Sequence, residues 1–248
     1  MSPPPTSLRL DRLLANLGYG GRKAVQQMVR EGLVVLDGQV VEDADQRIAI
    51  TPDLPGRMTV DGEPLDPPPG LTLMLNKPLG VTCSRKEAGP LIFGLFPPRW
   101  QVREPALSTI GRLDKETSGL LLLTDDGMLL HRVISPKNHV PKRYHVTLKW
   151  PMHGGEADAF ASGTLMLEGE DKPLLPAVME TLSPTTAYVT ITEGRYHQVR
   201  RMFAAVRNRV VGLHRDRIGQ LSLPEDLPPG SYRILGPAEL AAVLPATS

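Results

Sequence analysis

The stretch GRLDKETSGLLLLTDDG at positions 111–127 constrains this chain more than any other. Its four consecutive leucines, Leu120 to Leu123, end in Thr-Asp-Asp-Gly. That pattern predicts a short strand covered on both faces. Asp125 or Asp126 is placed to cap a following helix over 128–134, which Ser135-Pro136 stops. The polar loop ahead of the leucines carries Arg112, Asp114, Lys115 and Glu116. A charged loop hung on a rigid strand suits catalysis. A solvated turn accounts for the same charges.

Composition narrows the classes. The chain has 248 residues, 41% hydrophobic and 22% charged, enough for one medium domain and a small one. Its formal net charge is +1, so any nucleic-acid surface must be local. A single cysteine, Cys83, excludes an intrachain disulfide and points to a reducing, cytoplasmic compartment. No apolar run approaches the roughly 20 residues of a membrane span. Residues 1–7 lack the features of a signal peptide and are expected to be a disordered tail. Prolines cluster at 67–69, where a linker is expected.

Leu10, Leu13, Leu14 and Leu17 mark one face of a helix, and Gly18 is its C-terminal cap. A second helix is expected over 22–30, with Ala24, Val25, Met28 and Val29 inward. Residues 33–41 predict a hairpin turning at Asp37-Gly38, and residues 58–65 a second at Asp61-Gly62. Arg9, Arg12, Arg22, Lys23 and Arg30 face only Asp11 and Glu31 over the helical stretch. Such an excess suits phosphate contacts as well as a solvated helix surface.

Beyond the linker, residues 71–75 predict a strand, followed by a turn through NKPLG at 76–80. Lys77 is open to two readings, a phosphate contact or a surface lysine. Cys83 is expected to be a packed small residue. A short helix is expected over 91–96, and a strand from Tyr144 entered through Lys142 and Arg143. A tyrosine there, flanked by cations, suits base stacking beside phosphates, or half-burial in the strand. Next come a helix over 156–162, a strand pair turning at Gly163 and Gly169, and strands at 179–182 and 187–192. Residues 195–217 hold Arg195, Arg200, Arg201, Arg207, Arg209, Arg215 and Arg217 against Asp216 alone. Arg200 and Arg201 are expected on a helix anchored by Val199, Met202, Phe203 and Val206.

These segments resemble a known family. GRLDKETSGLLLLTDDG, the NKPLG turn, Lys142-Arg143-Tyr144 and GRYHQVRR at 194–201 are similar, in the same chain order, to the motifs of RsuA-type pseudouridine synthases. RLDRLLANLG and RKAVQQMVREGLVVLDGQVV, starting at Arg9 and Arg22, resemble the S4 RNA-binding domain. That domain usually has serine before its Arg-Lys pair. Gly21 stands here, which weakens the helix start by roughly 0.5 kcal/mol or less.

The resemblance implies an α+β chain. A small S4-like α/β domain at 8–66 is joined by a linker at 67–70 to a catalytic domain at 71–245. The latter is expected to have a mixed, largely antiparallel sheet in two halves. The family's essential carboxylate maps to Asp114, its active-site tyrosine to Tyr144, and the basic residue that pairs with the carboxylate to Arg200. Expected RNA contacts are Arg9, Arg12, Arg22, Lys23, Arg112, Lys142, Arg143, Arg195, His197 and Arg201. The reaction breaks the N1–C1′ bond of a uridine and rejoins the base through C5. No redox change occurs, so no cofactor and no metal are implied. Asp114 must be ionised in its cleft, by attack on C1′ or removal of a C2′ proton, and Arg200 is expected to hold it so.

The implied partner is 16S rRNA, or a small-subunit assembly intermediate containing it, with a uridine of the position-516 type as target. The protein is expected to act as a monomer away from membranes. Two other substrates or roles remain open at this point: 23S rRNA, and non-catalytic rRNA binding. A glycoside-cleaving enzyme normally needs two carboxylates, and Glu116 is then the second candidate.

Overall fold

The structure is a computed structural model that describes residues 6–84, 87 and 89–244. The expected tail lies outside the described residues except for Thr6 and Ser7, and so does residue 245. The chain forms two compact units. The first comprises the residues up to Thr72 with Phe96–Ser108 and Thr124–Asp126, and the second comprises the remainder. Segments 96–108 and 124–126, inside the range 71–245, thus cluster with the N-terminal unit. Among the described residues no helix is long and apolar enough to cross a membrane.

The first unit runs β1 (Ser7–Arg9), α1 (Leu10–Asn16), α2 (Arg22–Arg30), β2 (Val34–Leu36), β3 (Gln39–Val40), β4 (Arg47–Ala49), α3 (Leu54–Arg57), β5 (Met58–Val60) and β6 (Glu63–Pro64). The four leucines of the first helix are fully buried and pack with Val25, Val29, Val34, Ile48 and Met58. Ala24 is exposed, so the inward stripe of α2 is Val25, Met28 and Val29. Gly21 is the N-cap of α2 and gives it no side-chain hydrogen bond. Strands β3, β2, β5 and β6 form a four-stranded sheet. Asp37 and Gly38 both have positive φ, 51° and 79°, as a type I′ turn requires.

Segment 96–108 belongs here because its arginines find their partners here. Arg99 pairs with Asp66 at 2.7 Å and lies over the Tyr19 ring, 4.5 Å from its centroid. Arg103, wholly buried, pairs with Asp125 at 2.8 Å. Gly18 must be glycine: its φ is +89°, and a Cβ would sit 2.4 Å from the Arg99 carbonyl oxygen.

The second unit is built on a nine-stranded sheet. Its elements are β7 (Thr72–Lys77), β8 (Ser108–Ile110), β9 (Ser118–Thr124), α4 (Gly127–Ile134), β10 (Lys142–Leu148), α5 (Glu156–Ala161), β11 (Val178–Ser183), β12 (Thr186–Ile191), α6 (Gln198–Ala205), β13 (Val210–Ile218), β14 (Leu221–Ser222), β15 (Tyr232–Ile234) and α7 (Pro237–Val243). The order along the sheet is β11-β12-β10-β13-β9-β7-β15, with β14 on β13 and β8 on β9. One arm, β11 to β13, is antiparallel throughout. It joins the rest through the parallel pair of β9 and β13.

Leu120 to Leu123 have no exposed surface, which is what a strand covered on both faces requires. The expected strand pair around Gly163 and Gly169 is absent; residues 163–177 are irregular. That loop carries Glu168 and Glu170, which accept hydrogen bonds from arginines elsewhere in the chain. Its backbone follows those tertiary contacts rather than a ladder.

Candidate active site

The loop before β9 is held by its own carbonyls. The Lys77 ammonium donates to Thr117 O at 2.8 Å and reaches Lys115 O at 3.5 Å. Gly80 N–H donates to Lys115 O at 3.0 Å, and Thr117 N–H to Asp114 O at 3.0 Å. Cys83 Sγ lies 3.4 Å from Leu113 O, and Arg200 Nη2 donates to Glu116 O at 2.6 Å. Every carbonyl from Leu113 to Thr117 therefore has a donor. Asp114 sits at the centre of a loop with little freedom left to lose, which is what preorganisation requires.

Lys77 is neither a phosphate contact nor a surface lysine. It is wholly buried at the end of β7. Burial pushes its ammonium below the ordinary lysine range, against the opposing charges of Asp114 and Glu116. A long cation with three donors satisfies a bent loop that no ladder can satisfy. Cys83 is buried too, and burial raises its thiol above the ordinary range. It packs as expected from sequence.

Asp114 opens into a cleft of about 570 Å³. Lys142, Tyr144, His197 and Arg215 share its lining. The side chain of Asp114 is 35% exposed, and its Oδ1 lies 3.4 Å from His197 Nε2. His197 precedes α6 in the left-handed conformation, φ 49°, and stacks on Tyr196 with centroids 3.8 Å apart. The backbone strain aims the ring at the loop.

Tyr144 and Arg215 face each other across β10 and β13, where the register shifts at a bulge. Arg215 Nη1 lies 3.4 Å from the Tyr144 hydroxyl, and Nε donates to Leu120 O at 2.8 Å. Lys142, half-buried, donates to Val140 O at 3.0 Å. Burial, helped by the Arg215 charge, lowers it to about 8. The cleft thus offers a carboxylate at its loop, an aromatic ring, and cations beside them.

Arg200 corrects the expected pairing. It forms no hydrogen bond or ion pair with Asp114. Its Nη2 binds Glu116 O, and its Nη1 binds Val210 O at 3.3 Å. It lines a second cavity with Glu116, Ser118, His145 and His214. Alternation separates the two cavities: Tyr144 on β10 and Arg215 on β13 line the cleft, while their neighbours His145 and His214 line the second cavity, where Arg200 lies. Arg200 therefore supports the loop through its backbone, and His197 meets the carboxylate. His214 binds Ser118 at 2.9 Å, and burial lowers it below the usual histidine value. Glu116 is exposed and lines that second cavity, so it is not a second carboxylate beside Asp114. Glu193 does line the cleft, but Arg195 and Gln198 hold it at 3.1 Å each.

Several expected RNA-contacting cations have partners inside the chain. Arg143 pairs with Asp216 at 2.6 Å and lies over the Tyr188 ring. Arg195 pairs with Glu170 and Glu193, and Arg201 with Glu170 at 2.8 Å. Arg9 pairs with Asp11 at 2.9 Å and also with Asp45. The run from Arg195 is thus less basic in space than in sequence, since Glu170 lies outside it. Arg12, Arg22 and Lys23 are exposed on α1 and α2. Arg112 is at the cleft, its side chain 60% exposed and paired with Glu87.

The profile of the RNA pseudouridylate synthase family matches residues 72–205, more than half of the chain, and that of the S4 domain matches residues 8–50. The chain belongs to the RNA pseudouridylate synthase family. Its relatives span the chain. The synthase is 42% identical over 241 residues to ribosomal small subunit pseudouridine synthase A of Escherichia coli, covering 96% of this chain and 100% of that one. It is 42% identical over 236 residues to an uncharacterized RNA pseudouridine synthase of Bacillus subtilis, covering 94% and 97%. A crystal structure of a pseudouridylate synthase superposes with a TM-score of 0.67 at 39% identity, covering 96% and 100%. The synthase is an isomerase of the RsuA type with an S4 domain and a mixed parallel and antiparallel sheet.

The places of two residues in the synthase's cleft were not legible in the sequence. His197 was expected as an RNA contact and not against Asp114; its left-handed backbone is not legible in composition. Arg215 lies in VVGLHRDRI two residues from Leu213, so alternation puts both on one face, and the register shift at Arg143–Tyr144 falls beyond it, at Asp216; which face meets the cleft is set by the neighbouring strands.

Proposed function

We propose that the synthase converts one uridine of 16S rRNA, of the position-516 type, to pseudouridine, with Asp114 as the catalytic carboxylate. The observation that carries this is the Asp114 loop, pinned at every carbonyl and opening into a cleft shared with Tyr144. The similarity over nearly the whole chain to a small-subunit enzyme supports the substrate.

The target nucleotide leaves its helix and enters the cleft base first, because a stacked uridine is out of reach. Tyr144 offers a ring for the uracil to stack on. Asp114 works at the sugar, by bonding to C1′ or by taking the C2′ proton. His197 sits against the carboxylate and orients it. Lys77, Cys83, Gly80 and Arg200 hold the loop still. Arg112, at the mouth, contacts the phosphates flanking the target or fills the vacated place in the helix. Arg12, Arg22 and Lys23 on the S4 unit supply phosphate contacts.

Pseudouridine mapping on bacterial rRNA, free and in assembly intermediates, tests this with wild-type protein and Asp114→Asn. One new pseudouridine in 16S rRNA, absent with the variant, is the expected result. A signal in 23S rRNA instead moves the substrate and keeps the chemistry. Binding without any product rejects the catalytic assignment of Asp114.

A further inference from the structure

Among the described residues two arginines are buried almost completely, and the chain treats them differently. Arg103, 1% exposed, has Asp125 at 2.8 Å. Arg215, 2% exposed, forms no ion pair with any carboxylate among the described residues. Its Nε binds Leu120 O, its Nη1 lies at 3.4 Å from the Tyr144 hydroxyl, and its Nη2 is buried with no hydrogen-bond partner. The carboxylate next to it in sequence, Asp216, is bound to Arg143 instead. A buried guanidinium without a counter-charge is costly. The packing nevertheless enforces it. Gly119 is pressed so close to the strand that a Cβ would stand 2.2 Å from the Arg215 carbonyl oxygen.

Arg215 lines the cleft that holds Asp114 and Tyr144. An exposed arginine such as Arg112 suits a phosphate, which keeps part of its hydration. Arg215 is at the buried end beside the Tyr144 ring, where a base entering first comes to rest. Arginine carries donors only, and uracil presents two carbonyl acceptors. A neutral uracil gains little from such a group. A uracil that is leaving the sugar gains much, because it becomes an anion.

We propose that Arg215 is a catalytic residue of the isomerisation, donating from its guanidinium to a carbonyl oxygen of the uracil as the N1–C1′ bond breaks. The inference rests on the assignment of this cleft to pseudouridine formation. The bond breaks with its electron pair on N1, and the charge spreads to O2 and O4. C1′ is completed by a bond to an Asp114 oxygen, or the C2′ proton passes to Asp114 and leaves a C1′=C2′ double bond. C5 then bonds to C1′. The ester bond breaks back to the carboxylate, or the proton returns to C2′. The C5 proton is lost and N1 gains one, so the product is an isomer. Arg215 neither gains nor loses a proton in this sequence; it holds charge while the base is free.

The test compares the single-turnover loss of the N1-linked target nucleotide in 16S rRNA, free or in an assembly intermediate, carrying uridine or 5-fluorouridine; with fluorine at C5 there is no proton to lose there, so cleavage of the N1–C1′ bond and not pseudouridine is the common readout. Fluorine stabilises the departing anion, so a residue that also stabilises it matters less. Arg215→Gln is expected to slow the uridine reaction about 100- to 1,000-fold and the 5-fluorouridine reaction roughly 10-fold less than that, as for loss of one preorganised donor. Arg215→Lys, which keeps the charge but not the fork, is expected to show the same pattern with smaller losses, and it carries the comparison if Arg215→Gln does not fold. Equal fold losses on both RNAs, or a loss confined to RNA affinity, overturn the proposal. If wild-type protein converts neither RNA while binding both, the assignment of the cleft fails, and this inference falls with it.

Discussion

Lys142 shows how a single residue records the demands of a site. Its ammonium is half-buried, has Val140 O as its hydrogen-bond partner, and lies beside the cation of Arg215. Packing alone does not favour a charge there. Lys142→Met removes it and is expected to stabilise the fold by about 1 kcal/mol, or ~2–4 °C in Tm for a chain of this size, while activity falls. The pH dependence has a definite sign. The folded value, about 8, is below the ordinary 10.5. Between those values the unfolded chain binds more protons, so stability rises with pH across that window. Urea unfolding at pH 7, 8, 9 and 10 measures the rise, and in Lys142→Met it should be missing. Activity should move the other way, falling above pH 8 as the cation is lost, with the fall displaced upward in Lys142→Arg. A flat stability profile in the wild-type chain would remove Lys142 from this account.

The strands place the chemistry by contact as much as by direction. β9 and β13 run parallel, with Gly119 opposite Arg215. Gly119 has a φ of +105°, and its missing Cβ leaves room for the neighbouring backbone. Gly119→Ala adds a methyl group where no side chain can yield and demands a backbone conformation that alanine resists. It is expected to destabilise the chain by about 3 kcal/mol or more, seen as a lower urea midpoint. The sequence marked this element well in one respect and poorly in another. Four leucines made Leu120 to Leu123 a buried strand, because burial on both faces leaves no polar alternation to mistake. Nothing local said that β13 would lie beside it, or that Arg215 and not Arg200 would reach the cleft. The helix α6 was equally legible through Val199, Met202 and Phe203, yet its entrance at His197 was not, since left-handed backbone is enforced by neighbours. The loop at 163–177 failed as a strand pair for the same reason: its glutamates serve arginines far away in sequence.

At the scale of the molecule, two compact units share one chain, and the S4 unit exposes Arg12, Arg22 and Lys23 on α1 and α2. Replacing Arg12, Arg22 and Lys23 together by alanine should weaken binding to all rRNA sequences alike and reduce the slope of log affinity against log salt by about 2, at ~0.7–0.9 per lost phosphate contact. Filter binding over a salt series measures it, and an unchanged slope would move the RNA surface elsewhere. What the amino-acid sequence determined by itself was local and periodic. It determined the four-leucine helix, the two Asp-Gly hairpins, the buried strand after Asp114, and motifs specific enough to name the family. Each depends on residues close together in the chain, where the period of burial and the chemistry of a turn are written directly. Only the tertiary structure decided which charges are free. It buried Lys77 under the loop, gave Arg143, Arg195 and Arg201 to carboxylates, turned Arg200 to the far side of the sheet and left Arg215 unpaired in the cleft. The energy of a charge depends on what lies within a few ångströms of it, and those neighbours come from segments that only the fold brings together.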